Sequence, residues 1–418
     1  MKICVIGGGA SGMVAAIFCA RRGAEVLLLE KNDKLGKKMF ITGKGRCNLT
    51  NACEPDEFLG NVVSGEKFLR SAIYGFTPDD AIAFFEGLGL TVVTERGNRV
   101  FPFSQKSSDV IRVLEDELWR LNVEIRLKTT VREIRKNASG GFDVLTPWDK
   151  FSSDKVIVAT GGVTYPSTGS TGDGYEFAKK FGHSIVEPAP ALAPIILKEN
   201  VSSMQGISLK NVELSAYGDG DKLLCREFGE MLFTSKGISG PIALTVSSHI
   251  VRSNKVRLSL DLKPALDETM LDNRIVRDFE ARSREDLKNV TRALLPEKLN
   301  TYVLSAAKVL QDKKVNAVTK EERARLVKFV KNLPFNVKEL APFEEAVITA
   351  GGVDLKELKP SMESKMADGL YFVGETIDVD ALTGGFNLQI AYSTAVKAAE
   401  NAVKLTENAA KPTENEVK

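Results

Sequence analysis

Gly7, Gly8, Gly9 and Gly12, with Ala10 and Ser11 set among them, can bring bare backbone against an anionic ligand. An apolar run, Ile3 to Ile6, leads into them. A helix of small residues is predicted over Ala10 to about Arg22, then a second apolar run, Val26 to Leu29, ending on Glu30. This is the strand, GxGxxG, helix, strand, acid order of a dinucleotide-binding βαβ unit. Gly7 permits the tight turn, Gly9 lets N–H groups approach a pyrophosphate, and Gly12 lets helix and strand pack closely. Ala10 and Ser11 stand at the helix N-terminus, whose partial positive charge suits phosphates. Glu30 is placed to accept hydrogen bonds from a ribose diol. The unit by itself leaves NAD and FAD both open.

Two further segments narrow the choice. Val156 to Gly162 reads VIVATGG, a buried strand ending in Thr160, Gly161 and Gly162, which let a nucleotide pass without side-chain clash. Leu370 to Ala391 reads as a strand ending in Gly374 and Glu375, followed by a Gly384–Gly385 turn that feeds a helix. The N–H groups around Asn387 and Leu388 would face flavin O2 and N1 and stabilise negative charge on reduction. Asp378 or Glu375 would bind ribityl or ribose hydroxyls. Three segments so far apart make sense together around one large cofactor, FAD. Lys31, Lys38, Gly43, Arg46 and Asn48, on or beside a glycine- and lysine-rich loop from Asn32 to Asn51, join the expected cofactor contacts, as does Val131.

For catalysis the candidates are Arg46, acting electrostatically, and Tyr165, as proton donor or as pocket wall. Cys47 lacks the second thiol of a CxxC pair, so packing is expected of it. His183 and His249 lie in no triad, and His183 is expected to end a helix as a C-terminal cation. No metal site is expected from so few ligands. With no second GxGxxG, NAD(P)H is expected to dock transiently at the open ring face.

The chain has 418 residues, 43% hydrophobic and 27% charged, with formal net charge +2. That length allows two or three domains, and the charge implies no global field for nucleic acid or membrane. Five cysteines without CxxC spacing fit a reducing cytosol. The apolar start fits the βαβ unit better than a signal peptide, and no run is long enough to span a membrane. The expectation is a cytoplasmic protein with a small apolar substrate and no nucleic-acid or membrane partner; the oligomeric state stays open.

The elements that must position these residues follow from periodicity. Helices are predicted at Phe68 to Phe76, Pro78 to Leu88, Asp109 to Leu121 and about Gly174 to Phe181. Strands are predicted at Leu90 to Thr94, Arg99 to Phe101, Val123 to Leu127, Thr130 to Arg135, Gly141 to Leu145 and Lys155 to Ala159. Pro188, Pro190 and Pro194 suggest a boundary. Beyond it, Ala193 to Leu262 is strand-like, Asp267 to Asn332 helical and charged, and Phe335 to Leu340 a returning strand. Ala346 to Thr349, Leu370 to Val373 and a helix from Asn387 to about Leu405 return to α/β texture, with a frayed tail from Thr406. Residues 1–190 with 343–418 are expected to form the nucleotide-binding domain, 191–265 with 333–342 a β-rich insertion, and 266–332 a helical subdomain. A substrate pocket is expected between domain and insertion.

Longer strings carry a resemblance. Gly43-Lys44-Gly45-Arg46-Cys47-Asn48-Leu49-Thr50-Asn51, Gly169-Ser170-Thr171-Gly172-Asp173-Gly174-Tyr175, Ile348-Thr349-Ala350-Gly351-Gly352-Val353 and Gly384-Gly385-Phe386-Asn387-Leu388-Gln389 join the opening glycines. Together they resemble FAD-binding proteins of the glutathione-reductase-like superfamily, in its fumarate-reductase branch, and within it the BaiN-like bacterial flavoproteins. The resemblance implies an α/β fold: a Rossmann-type FAD-binding domain with an inserted β-rich, barrel-like domain and a helical subdomain. Family members have been linked to reduction of 3-oxo-4,5-ene bile acids and to oxidation of aminoacetone. The expected activity is NAD(P)H-linked reduction of an enone through FAD, with an amine oxidase as the rival and a tRNA-associated flavoprotein or redox sensor as readings of another class.

Overall fold

The computed structural model describes residues 1–403; the predicted helix end at Leu405 and the tail from Thr406 lie outside them. Chain contacts divide the molecule into two compact units, Met1–Pro188 with the chain from Thr349 onward, and Ala189–Ile348.

The first unit is built on a parallel five-stranded sheet. Its order is Leu370–Phe372, Lys155–Val158, β1 (Lys2–Ile6), β2 (Glu25–Leu29) and Glu124–Arg126. The inner strands are near-continuous apolar runs because both faces are covered. The helix α1 (Ala10–Arg21) joins β1 to β2 and is buried along most of its length. Its small side chains allow it to lie close against the long C-terminal helix, Phe386–Ala402. Phe58, Phe76, Phe84 and Phe85 belong to this unit's core, with rings meeting edge-on at 5.2 to 6.2 Å along Phe76, Phe84 and Phe85. The helix Pro78–Gly87 starts on a reciprocal cap between Thr77 and Asp80, a device that stabilises a helix start by about 1 kcal/mol.

Three predictions shift. The loop from Asn32 to Asn51 contains a short helix, α2 (Lys37–Ile41), and a two-residue strand, Thr50–Asn51. Gly36 turns left-handed at φ 65° to start α2, and the strand pairs with Val100 and Arg99. The strand predicted over Ala346 to Thr349 runs instead over Ile348–Val353, carried through Gly351 (φ 97°) and Gly352 (φ 139°). A side chain on Gly351 would meet the Glu187 carbonyl oxygen at 2.6 Å, so the glycine serves close backbone approach. The strand expected from Thr130 starts at Glu133.

The second unit holds a closed barrel in the order Ile195–Leu197, Gly237–Ser239, Leu223–Phe233, Ser208–Tyr217, Arg257–Asp261 and Leu333–Leu340. The helices Glu268–Ala281, Leu287–Thr291, Glu297–Ala306 and Lys320–Lys331 share its core, so barrel and helices form one unit. Tyr302 of a helix stacks on Phe335 of a barrel strand at 6.1 Å, and Phe233 meets Phe335 at 6.0 Å. Among the described residues no helix is long and apolar enough to cross a membrane.

Candidate cofactor site

The turn after β1 is closed on one side and open on the other. The Gly7 N–H donates to the Leu29 carbonyl at 2.8 Å, and Gly7 itself stands at φ 103°. A side chain on Gly12 would lie 1.8 Å from the Gly7 carbonyl oxygen, so only a glycine lets α1 sit this close. A side chain on Gly9 would meet no atom within 4 Å. Gly9 starts α1 at φ −81° and no side chain caps it. The first N–H groups of α1, from Ala10 onward, therefore lack helical acceptors beside open space, which is the donor set a pyrophosphate requires.

Glu30 is buried at the end of β2. Its Oε2 accepts the Gly8 N–H at 2.7 Å, and its Oε1 accepts both the backbone N–H and the side-chain amide of Asn32 at 2.7 Å. The carboxylate is thus fixed with one lone pair, on Oε2, left to accept a ribose hydroxyl. The Thr129 N–H donates to the Glu30 carbonyl, which brings the segment leading to buried Val131 alongside β2. Lys31 turns away toward Asp173 (2.7 Å) and Thr171 (2.5 Å).

Lys38 and Glu375 meet although 337 residues separate them. The ammonium lies 2.7 Å from Glu375 Oε2 and 3.0 Å from Oε1, and donates to Thr164 Oγ1 at 2.7 Å. Glu375 Oε1 also accepts the Thr164 hydroxyl at 3.0 Å and the Thr349 N–H at 2.8 Å. Thr349 Oγ1 accepts the N–H groups of Val163 and Thr164. Gly162 passes so near that a side chain there would reach Thr349 Oγ1 at 2.3 Å. Glu375 is therefore a clamp between α2, the second glycine segment and the strand Ile348–Val353.

At the third segment, Gly374 (φ 63°) lies against Ser11, where a side chain would meet the Ser11 hydroxyl at 2.7 Å. Asp378 is half-buried, its N–H donating to the Val353 carbonyl. Gly385 (φ 101°) begins the C-terminal helix, and a side chain there would lie 2.4 Å from the Thr50 carbonyl. The Asn387 side chain closes the preceding loop, accepting the Ala381 N–H at 3.0 Å and donating to the Ala381 carbonyl at 2.7 Å. No side chain caps the helix, so the backbone N–H groups of Phe386, Asn387 and Leu388 have no helical acceptor.

Buried Asn48 Oδ1, Thr160 Oγ1 and Tyr175 Oη have no hydrogen-bond partner among the described residues. Orphaned polar atoms of this kind mark a place where a ligand or water completes the bonding. Burial, then the carboxylates of Glu375 and Asp378, push the Tyr175 phenol far above its ordinary range, so its oxygen keeps a proton to donate. Gly161 adopts φ 73° directly after Thr160. These features suit an extended, anionic, hydroxyl-bearing cofactor.

Sequence over the whole length decides what the cofactor is. The family model described as HI0933-like protein Rossmann domain matches residues 1–401. The chain belongs to the HI0933-like family. It is an FAD-dependent oxidoreductase with a Rossmann-type FAD-binding domain. A relative named 3-dehydro-bile acid delta(4,6)-reductase, from Clostridium scindens, is 31% identical, the match covering 95% of this chain and 98% of that protein. A relative from Escherichia coli named ribosomal RNA dihydrouridine synthase is 29% identical over 95% of this chain and 96% of its own length. The like-named Haemophilus influenzae protein is 28% identical, covering 94% and 96%. The solved 3-ketosteroid delta1-dehydrogenase from Sterolibacterium denitrificans, with 1,4-androstadiene-3,17-dione, has a TM-score of 0.51 at 14% identity. The alignment covers 96% of this chain and 99% of that one, a likeness of fold.

Within this HI0933-like site the two expected catalytic residues each have other partners. Arg46 gives its guanidinium to Glu95 and Gln105 and lies 4.0 Å over the Phe101 ring. Its charge is already matched, and among the described residues no hydrogen bond or ring contact joins it to Tyr165. Tyr165 adopts φ 51°, a backbone shape costly for a residue with a side chain, and its carbonyl accepts from the Thr168 N–H and hydroxyl. Gly43 (φ 56°), Lys44 (φ 59°) and Gly45 (φ 82°) form a left-handed run before Arg46. Cys47 is fully buried, and burial pushes its thiol up to about 12, so it stays protonated and packs. His183 is buried rather than a helix-end cation, its Nε2 2.7 Å from Ser364 Oγ. Two residues that help hold the site together, Thr164 and Asn32, lie outside the motif strings, whereas Thr349 lies within the Ile348–Val353 string. Thr164 and Thr349 fix Lys38 and Glu375, and Asn32 fixes Glu30 while donating to the Thr168 carbonyl at 2.9 Å. A lone threonine or asparagine whose partner lies far away in the chain leaves no local signal in the sequence.

Proposed function

We propose that this flavoenzyme reduces a carbon–carbon double bond conjugated to a carbonyl, in a steroid-like or other small apolar substrate, with NAD(P)H as the transient donor. One observation carries the reading: relatives named for different substrates have names that share this chemistry. A delta(4,6)-reductase of a 3-dehydro bile acid saturates alkenes conjugated to a ketone, and dihydrouridine is uridine with its carbonyl-conjugated ring alkene saturated. In net terms, NAD(P)H gives up a hydride, the β-carbon gains it, and the α-carbon takes a proton. FAD, when bound, supplies the hydride-carrying N5.

The chain's own residues bind, orient and protonate. Gly9 and the start of α1 hold the pyrophosphate, and Glu30, kept rigid by Gly8 and Asn32, holds a ribose hydroxyl. The N–H groups of Phe386 to Leu388 offer donors to the anionic edge of a reduced flavin. Lys38, Glu375, Thr164 and Thr349 hold three cofactor segments in one arrangement before the cofactor arrives, which lowers the ordering cost of binding. Tyr165 Oη is the proposed proton donor, with Arg46, its guanidinium held by Glu95 and Gln105, as the proposed electrostatic residue.

A second reading has specific support. Two relatives covering 96% of their own lengths carry a ribosomal RNA name, which makes a uracil base within RNA the rival substrate. One experiment separates the readings. Under anaerobic conditions the holoprotein, reduced by NADPH or NADH, is mixed with a 3-oxo-4-ene steroid or with unmodified ribosomal RNA transcribed in vitro. Reoxidation by the steroid supports the first reading, and reoxidation by RNA the second. If neither reoxidises the flavin but oxygen does so rapidly, after reduction by an amine, both give way to an oxidase.

A further inference from the structure

Two stretches of the first unit, residues 40–46 and 95–107, meet around Phe101. Arg46 lies 4.0 Å and Arg99 5.8 Å from the centre of that ring. Glu95 sits opposite Arg99 in the antiparallel pair and receives the Arg46 guanidinium. The Ser107 hydroxyl donates to the Phe40 carbonyl at 2.7 Å, tying the two stretches again. Glu95 is the acid within them, and Arg46 takes it.

What surrounds this junction is aromatic and cationic. Phe40 is 54% and Phe103 70% exposed. Lys44, Arg96, Arg99 and Lys106 are exposed, and none of them forms a salt bridge among the described residues. The neighbouring cations Lys37 and Lys38 are, by contrast, taken by Asp33 and Glu375. The turn carrying Arg96 and Arg99 is held in shape: the Asn51 amide donates to the Gly97 carbonyl at 3.0 Å and the Ala52 N–H to the Asn98 carbonyl at 2.7 Å. A formal charge of +2 over the whole chain conceals such a face, because acids elsewhere balance it.

We propose that this face docks structured RNA, with phosphates against Lys44, Arg96, Arg99 and Lys106 and an unstacked base against Phe103. The inference rests on the RNA reading of the function. Cations flanking exposed rings are the combination that tracks a sugar–phosphate backbone and stacks bases. The arrangement assembles from two separated stretches, so no basic-aromatic string marks it in the sequence.

The test uses holoprotein and an unmodified ribosomal RNA fragment transcribed in vitro, with binding followed by fluorescence anisotropy across a salt series. Replacing Arg96, Arg99 and Lys106 together by alanine is expected to weaken binding about a hundredfold near 0.1 M salt and to lower the log–log salt slope by about two. Phe103→Ala is expected to cost about tenfold with the slope unchanged, since stacking releases no counterions. A control triple variant, Lys308→Ala, Lys320→Ala and Lys328→Ala, removes equal charge from the second unit and is expected to bind nearly as wild type. Thermal melting and flavin absorbance establish that each variant is folded and loaded. If the first two variants bind as wild type does, or lose no more than the control, the surface is wrong while the RNA reading stands. Failure of wild-type holoprotein to bind the RNA at any salt overturns both. Equal binding to anionic phosphatidylglycerol vesicles, through the same residues and without preference for RNA, overturns the docking assignment as well.

Discussion

Adding a methyl group at Gly9 and at Gly12 asks different things of one turn. At Gly12 the new carbon would lie 1.8 Å from the Gly7 carbonyl oxygen and 2.9 Å from its carbon, both backbone atoms. The helix would have to move off the strand, at a cost of about 3 kcal/mol or more. At Gly9 the methyl would enter open space, with φ in the ordinary negative region, so stability should change by well under about 1 kcal/mol. It would nonetheless stand where backbone N–H groups approach the pyrophosphate. Gly12→Ala is therefore expected to lower the melting temperature of the apoprotein, and Gly9→Ala to leave it nearly unchanged while weakening FAD about ten- to a hundredfold. Differential scanning fluorimetry of apoprotein and flavin titration read the two effects separately. A Gly9→Ala protein that binds FAD like wild type would move the pyrophosphate elsewhere. Such glycines are legible in sequence because their spacing is local. The partners of Lys38 and Glu375 are not, because each depends on a residue hundreds of positions away coming to rest beside it.

Elements were legible to the degree that burial followed a simple period. β1, α1 and β2 came out clearly, since apolar runs, small residues and glycines all specify the same unit. The strand Thr50–Asn51 and α2 were hidden by glycine and lysine, and exist through tertiary pairing with Val100 and Arg99 and burial of Met39. His183 shows the same limit. Its place just beyond the helix Asp173–Lys180 suggests a cation facing the helix dipole, yet the ring is buried against Phe372 at 5.2 Å. The Ser364 hydroxyl oxygen accepts the N–H groups of Met366 and Ala367, so its proton goes to His183 Nε2, and the ring proton resides on Nδ1, 3.3 Å from Glu357. Burial lowers the pKa below 6.5 despite the opposing pull of Glu357. The folded state then binds fewer protons than the unfolded one, so the contribution is complete above pH 6.5 and erodes as pH falls from there toward the folded value. The loss cannot exceed about 1.4 kcal/mol per pH unit. Urea unfolding at about pH 8 and about pH 5.5 should show this loss in wild type and a smaller one in His183→Gln. Equal acid sensitivity in both would assign the effect to other groups.

At the scale of the molecule, the division into units rests on two cores that draw on different residues. Pro188 is the last residue of the first unit before the chain leaves it, and the barrel strands that follow range from three to eleven residues. Every residue assigned to the cofactor lies in the first unit. The chain leaves and re-enters that unit at neighbouring points, since Gly351 would place a side chain 2.6 Å from the Glu187 carbonyl oxygen. A few glycines and serines could therefore join Pro188 to Thr349 without straining the sheet. The shortened protein is expected to keep a flavin spectrum and to bind FAD within about tenfold of the intact chain, because α1, Glu30, the Lys38–Glu375 clamp and the uncapped helix start at Gly385 all remain. The excised segment, residues 189–348, is expected to unfold cooperatively by itself, since barrel and helices share one apolar core closed by Phe233, Tyr302 and Phe335. It should bind no flavin. Circular dichroism melts and flavin titration of both pieces check this. A folded but colourless shortened protein would mean that the second unit supplies part of the cofactor's binding energy, and would move the search for contacts into residues 189–348.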